Sequence, residues 1–322
     1  MLRRLLSRLT RAPTSEASAL FTPDSQEPFG PDFVQKLEVL ALLSRRLFHH
    51  RSRLEQARKR RGSGIEFVEH REYLLGDDPR LIDWNATQRL DHLLVRINEE
   101  QEDPTTYVLL DASASMVHPF GTQFVLGKQL TAALGYLFLR RFDRVMIGAF
   151  RDGIVFGEPP KRGHGRILPH LGFLRQLQAQ GSTSLADSMR YFTSRYRRPG
   201  TVYLVSDLAS PDGFYRATDA LRYAKHKVHW VKLWSPLHQR LAVEGDVTLK
   251  DCETGEALDM TLNNSLLSSV RREADQTCSK FARYCAEHQS QFYASLPRAG
   301  FEEMVMGVLR SAHQDEPIGQ HP

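Results

Sequence analysis

From Tyr107 onward, short uninterrupted apolar runs alternate with segments in which apolar residues recur every three or four positions. The runs predict strands at Tyr107–Asp111, Arg144–Phe150, Ile154–Phe156, Thr201–Ser206, Val228–Leu233 and Gln291–Leu296, since strands buried on both faces read as continuous apolar stretches. The periodic segments predict helices at Gln123–Arg141, Arg166–Gln178, Leu185–Tyr196, Gly213–His226, Ser265–Glu287 and Gly300–Leu309. Strands and helices alternating in this way imply an α/β fold with a doubly wound, mainly parallel sheet. Arg151-Asp-Gly153 is the exception: its Asp-Gly pair has the chemistry of a hairpin turn and puts an antiparallel strand at the edge of the sheet. A second small hairpin is expected across residues 246–261, around Glu253-Thr-Gly255-Glu.

Upstream the pattern changes. Residues 12–32 contain Ala-Pro-Thr-Ser-Glu-Ala-Ser, Pro23, Pro28 and Pro31, which breaks helices, so residues 1–31 are expected to be a flexible arm and linker. Phe33, Leu37, Leu40, Leu43 and Leu47 then form a helical stripe that Asp32 is placed to cap, within a helical region spanning 32–61. Residues 62–103 read as a small β-rich addition, with strand-like Ile65–His70 and Leu93–Ile97. Between these strands, Gly76-Asp-Asp-Pro79 has turn chemistry, with Arg80 and Asp83 as local pairing groups; a metal site at Asp77, Asp78 and Asp83 is the alternative. The main domain is expected over 104–311, followed by a disordered tail at 312–322.

Composition narrows the class. The 322 residues are 41% hydrophobic and 25% charged, which is globular. Three cysteines, Cys252, Cys278 and Cys285, make neither a disulfide framework nor a zinc pair, and they read as reduced thiols in a cytosol. No apolar segment approaches the roughly 20 residues that span a bilayer, and the N-terminus lacks a signal-peptide core, so a cytoplasmic protein without an integral membrane segment is expected. Residues 1–61 hold 13 Lys and Arg against 6 Asp and Glu, whereas the remainder holds 30 against 32. The basic excess, including Arg58-Lys-Arg-Arg61, is thus N-terminal and reads as a solvated arm, with transient contact to nucleic acid or anionic lipid as the alternative.

The candidate chemistry sits where the first apolar run stops. Asp111, Ser113 and Ser115 alternate along a nearly extended segment, so their oxygens point to one spot, and hard oxygen donors suit Mg²⁺, Mn²⁺ or Ca²⁺. An Asp/Ser-rich loop capping the next helix is the plainer reading. Two other loops fall at the same edge of the sheet: Gly181-Ser182-Thr183-Ser184 before a helix, and Ser206-Asp207 after a strand. His118, the histidine nearest the first loop in sequence, is expected to face solvent.

With those residues in place the chain resembles the von Willebrand factor A domain, whose metal-ion-dependent adhesion site has the pattern Asp-x-Ser-x-Ser, a later Thr and a later Asp. Asp111, Ser113, Ser115, Thr183 and Asp207 match it in order. The upstream stretch, Gly64-Ile-Glu-Phe through Gly76-Asp-Asp-Pro-Arg80 and Ile82-Asp-Trp84, resembles a bacterial family of unknown function, number fifty-eight of the domain-of-unknown-function series, which joins such a segment to an A domain. The resemblance implies Mg²⁺ as the first choice of divalent cation and a metal-dependent protein-binding module. It also implies a partner: a MoxR-type AAA+ ATPase, or its client, contacted through Ser113, Thr183 and Asp207 with Arg80 as a further contact. A metal-dependent hydrolase and a nucleic-acid or membrane-surface binder remain the alternatives. No Walker-type Gly-x-x-x-x-Gly-Lys run is present, so the chain does not read as an ATPase.

Overall fold

The computed structural model describes residues 9–11, 27–57, 61–62, 66–74, 76–90, 92–99, 105–117, 122–141, 143–208, 213–233, 245–251, 253, 255–295 and 299–314. The chain forms two compact units, one of residues 1–44 with 104–322 and one of residues 45–103. In chain order the elements are β1 (Leu9–Arg11), α1 (Phe33–Ala57), β2 (Arg61–Gly62), β3 (Glu66–Glu72), α2 (Trp84–Leu90), β4 (Leu94–Glu99), β5 (Thr105–Asp111), α3 (Thr122–Arg140), β6 (Arg144–Arg151) and β7 (Ile154–Gly157). They continue with α4 (Ile167–Gln176), α5 (Leu185–Arg195), β8 (Thr201–Ser206), α6 (Phe214–Tyr223), β9 (Lys227–Lys232), β10 (Gly245–Asp251), β11 (Ala257–Leu262), α7 (Asn264–Glu287), β12 (Gln291–Ala294) and α8 (Phe301–Gln314).

Six strands of the larger unit form one sheet in the order β12-β9-β8-β5-β6-β7. All neighbours are parallel except β6 and β7, which the Asp152-Gly153 turn joins as a hairpin. Both turn residues have positive φ, 50° and 78°, as a two-residue hairpin turn requires. Every residue of β5 is buried, and its side chains divide between two apolar layers. Tyr107 and Leu109 pack with Met189 and Phe192 of α5, Phe214 and Leu221 of α6 and Phe281 of α7. On the other layer α3 comes so close that a Cβ at Gly127 would lie 2.8 Å from Leu110, and one at Gly135 2.4 Å from Ile147. The result is a mainly parallel sheet with flanking helices, compatible with a doubly wound α/β fold.

The order of strands fixes where chemistry can sit. From β5 the chain crosses to β6 on one side, and from β8 it crosses to β9 on the other. The gap between the carboxyl ends of β5 and β8 is therefore the switch point at which such sheets open a crevice. Asp111 ends β5 and Ser206 ends β8.

Three sequence expectations shift. The buried stripe of α1 within the larger unit is Phe33, Leu37, Leu40, Ala41 and Ser44, whereas Leu43 is 58% exposed, because the fourth residue after Leu40, not the third, completes the face. The body also begins before residue 31: Phe29 is buried, its ring 4.8 Å from Phe33, and Pro28 accepts a hydrogen bond from Gln129 Nε2. Within the expected arm, Leu9–Arg11 pairs antiparallel with β10, making the three-stranded sheet β1-β10-β11; residues 1–8 and 12–26 lie outside the described residues. At the other end α8 continues to Gln314, past the expected boundary, and residues 315–322 lie outside the described residues.

The smaller unit contains the antiparallel sheet β2-β4-β3. Its turn behaves as the sequence indicates. Asp77 takes both Arg71 and the Leu74 N–H, which hold its carboxyl below the usual carboxylate range, and Asp78 caps the Pro79–Leu81 turn through the Arg80 N–H. Asp83, expected as a local pairing group beside Arg80, bonds His70 at 2.9 Å and caps α2 through the Asn85 and Ala86 N–H groups.

The position of Phe29 gives a direct test of where the body starts. Phe29→Ala should lower the unfolding free energy by about 3 kcal/mol in urea titration, the usual cost of emptying a buried aromatic position. A loss below about 1 kcal/mol would place that start after residue 31.

Candidate metal centre at the switch point

Asp111 is the last residue of β5, and Ala112 N–H still donates to Phe150 C=O at 3.0 Å beyond it. Asp111 is fully buried. One carboxylate oxygen accepts the Ser113 N–H at 3.0 Å, and the other accepts the Ser206 hydroxyl at 2.7 Å. Ser113 then leads into a short turn at Ala114–Met116, which brings the Ser113 and Ser115 hydroxyl oxygens to 3.0 Å from each other. Two hydroxyls and a carboxylate are thereby gathered on one loop, by the turn at Ala114–Met116 and not by the extended alternation that the sequence suggests.

The second loop is tied to the first through its backbone. Gln180 N–H donates to Ala112 C=O at 2.9 Å, and Ala114 N–H donates to Gly181 C=O at 3.1 Å. Gly181 has φ +75°, and a Cβ there would lie 2.3 Å from an Asp152 carboxylate oxygen, so only glycine allows this approach. Asp152, at the tip of the β6–β7 hairpin, donates its N–H to Ser182 C=O and accepts the Ser182 N–H at 2.7 Å. Thr183 follows. Its N–H and its hydroxyl both donate to Glu253, at 3.0 and 2.9 Å, one to each carboxylate oxygen.

Asp207, half-buried after β8, completes the set through its charge. Burial first, and the Asp207 carboxylate second, push the Asp111 carboxyl up to about 7, against the opposing pull of its bonds to Ser113 and Ser206. A cation beside two such carboxylates relieves both effects at once. The two serine hydroxyls are hydrogen-bonded to each other at 3.0 Å, a separation equal to the edge of an octahedron with ligands at about 2.1 Å. Among the described residues no group of three or more His, Cys, Asp or Glu is placed to hold a metal ion. This set is of another kind, with two carboxylates and three hydroxyls.

The edge is less exposed than the sequence implied. Ser113 and Ser115 are buried along with Asp111, so Ser113 offers no surface to a partner directly. Thr183 and Asp207 are half-buried and form the accessible side. Arg80 is exposed and belongs to the smaller unit. His118 and Cys252 lie outside the described residues, as do three residues of the basic run, 58–60. Cys278 and Cys285 are free, and burial pushes the Cys285 thiol up to about 12. Three contributors were not legible beforehand: Ser206, Asp152 and Glu253. Only Ser206 carried a signal, a hydroxyl at the end of a buried strand next to Asp207.

The family described as protein of unknown function DUF58 matches residues 69–281. The chain belongs to that family. This DUF58 chain is similar to the uncharacterized protein Rv1480 of Mycobacterium tuberculosis and the uncharacterized protein Mb1516 of Mycobacterium bovis. Each is 29% identical over 221 residues, 66% of this chain and 68% of the relative. Among solved structures it is similar to the conserved hypothetical protein BatB of Bacteroides thetaiotaomicron, at 14% identity and TM-score 0.41, covering 65% of this chain and 98% of that one. The pilus adhesin SpaC of Lactobacillus rhamnosus GG gives 11% identity and TM-score 0.41, covering 67% of this chain and 31% of that one. Among the described residues no helix is long and apolar enough to cross a membrane.

The raised Asp111 carboxyl has a measurable sign. A carboxyl whose pKa moves up on folding, here from 3.8 to about 7, weakens the folded state progressively as pH rises through that window. In EDTA, Asp111→Asn should gain stability relative to wild type between about pH 4 and about pH 7, read by urea denaturation at several pH values. A constant difference across the range would mean that Asp111 is not held in this state.

Proposed function

We propose that the switch-point edge is a divalent-cation site through which this DUF58 protein recognises an acidic side chain of a protein partner, as a von Willebrand factor A-like module does. The observation that carries the reading is the pairing of the buried Asp111 with Asp207 beside two serine hydroxyls at the spacing of a coordination edge. Asp111, Ser113, Ser115, Thr183 and Asp207 are the residues that would hold Mg²⁺, with Mn²⁺ or Ca²⁺ as substitutes. The bound cation supplies a positive centre for a carboxylate. Three of the five donors are neutral hydroxyls, so the site keeps net attraction for a further anionic ligand rather than being neutralised by its own side chains.

The protein's residues divide the work. Asp111 and the two serines lie inside and orient the loop, whereas Thr183 and Asp207 lie where a partner has access. The partner that the family resemblance points to is a MoxR-type AAA+ ATPase or its client. A hydrolase reading would reuse the same aspartates, and turnover lost in Asp111→Ala would be its mark.

Mn²⁺ binding, followed by electron paramagnetic resonance on the full chain, should weaken at least about 10-fold in Asp111→Ala and in Ser115→Ala. Retention of a purified MoxR-type ATPase should fall in EDTA and in Asp111→Ala by a similar factor. If retention is the same with and without chelator, recognition runs through another surface.

A further inference from the structure

The two donors of Thr183 already hold a carboxylate. Glu253 accepts the Thr183 N–H with one oxygen and the Thr183 hydroxyl with the other, across 70 residues of sequence. This is the most accessible hydroxyl of the set. It is also where an incoming acidic residue has to arrive, since Asp111, Ser113 and Ser115 are covered.

Glu253 is presented by a shaped turn. It sits between β10 and β11, where Asp251 accepts the Glu253 N–H at 2.7 Å through its side chain and the Gly255 N–H at 2.9 Å through its carbonyl. Asp251 N–H in turn bonds Glu256 C=O at 2.8 Å, and Gly255 takes φ +75°. The carboxylate is therefore aimed by its own hairpin.

We propose that Glu253 is a resident acidic ligand of the Thr183 seat, and that an acidic partner residue, carried on a turn like this one, engages only by displacing the β10–β11 hairpin. The proposal rests on reading the switch-point edge as a carboxylate-binding site. Two features make displacement feasible. The hairpin belongs to a separate three-stranded sheet, and among the described residues its apolar cluster with α7 has Leu262 and Leu267 buried and Leu258, Met260, Leu266 and Val270 partly buried. Elements with few buried apolar contacts open at lower cost than the central sheet. A tethered ligand nonetheless competes at an effective concentration on the order of millimolar, so it screens out weak acidic ligands and admits strong ones.

The test uses the full chain, wild type and Glu253→Gln. The probe is a fluorescein-labelled peptide copying residues 247–258 with serine in place of Cys252, alongside the same peptide with glutamine in place of Glu253. Binding is measured in Mn²⁺ and in EDTA, together with amide exchange at Thr183 and across residues 245–262. Glu253→Gln should bind the acidic peptide at least about 10-fold tighter than wild type, reject the glutamine peptide, and exchange faster at Thr183. Equal peptide affinity in the two chains overturns the proposal, as does no binding by Glu253→Gln at millimolar peptide. The underlying reading fails separately: tight binding by Glu253→Gln that is the same in EDTA leaves the latch standing and removes the cation. Equal peptide binding that EDTA abolishes in both chains does the reverse.

Discussion

Asp111 is a carboxylate buried at the end of a central strand, and much of the local architecture follows from the need to compensate it. Removing an ionised carboxylate from water costs several kcal/mol unless donors or opposite charge replace the lost hydration. The chain supplies two donors, the Ser113 N–H and the Ser206 hydroxyl, and then adds a like charge at Asp207 that works against them. Core packing does not require that arrangement. The apolar layers around Tyr107, Leu109 and Leu110 are complete without it, so the edge is a local departure from the consistency that marks the rest of the sheet. Such departures are where binding chemistry is expected, and a cation is the simplest group that turns the conflict into attraction.

The second loop shows how far the protein goes to fix that edge. Gly181, Ser182 and Thr183 are three consecutive residues held from three directions: by the first loop's backbone, by Asp152 and by Glu253. Two of the three holders are hairpin tips from different sheets. Their turn chemistry serves two purposes, because the positive φ that closes the Asp152-Gly153 turn also directs the Asp152 carboxylate at Ser182.

The sheet, its antiparallel edge and the second hairpin were legible in the sequence because each depends on local pattern: apolar runs, periodic helices, and Asp-Gly or Gly-containing turns. Asp111, Ser113 and Ser115 were legible as a group because they lie within five residues of one segment, although a turn at Ala114–Met116, not extended alternation, brings the hydroxyls together. What could not be read is whatever depends on contacts between distant segments. The docking of the Gly181 loop on the first loop's backbone joins segments about 70 residues apart, and the Glu253 contact requires a hairpin 70 residues downstream to arrive at Thr183. Leu43 illustrates the limit even within a helix, since three- and four-residue spacings both satisfy a stripe and only the packed neighbour selects between them.

The two hairpins that grip the Gly181–Thr183 loop differ in what holds them, and that difference decides which one can move. The β6–β7 hairpin is continuous with the central sheet: β6 pairs with β5 over seven residues, and Phe150 and Val155 near its turn belong to the main apolar cluster. Releasing Asp152 means disturbing that cluster. The β10–β11 hairpin pairs outside the central sheet, and among the described residues its apolar cluster has two buried members, Leu262 and Leu267, so releasing Glu253 does not break the pairing of the central sheet. Stability is not uniform across a fold, and opening follows the cheapest set of contacts. The loop is thus clamped on the Asp152 side and latched on the Glu253 side, an asymmetry that keeps Ser182 fixed while leaving the Thr183 donors exchangeable between an internal and an external carboxylate.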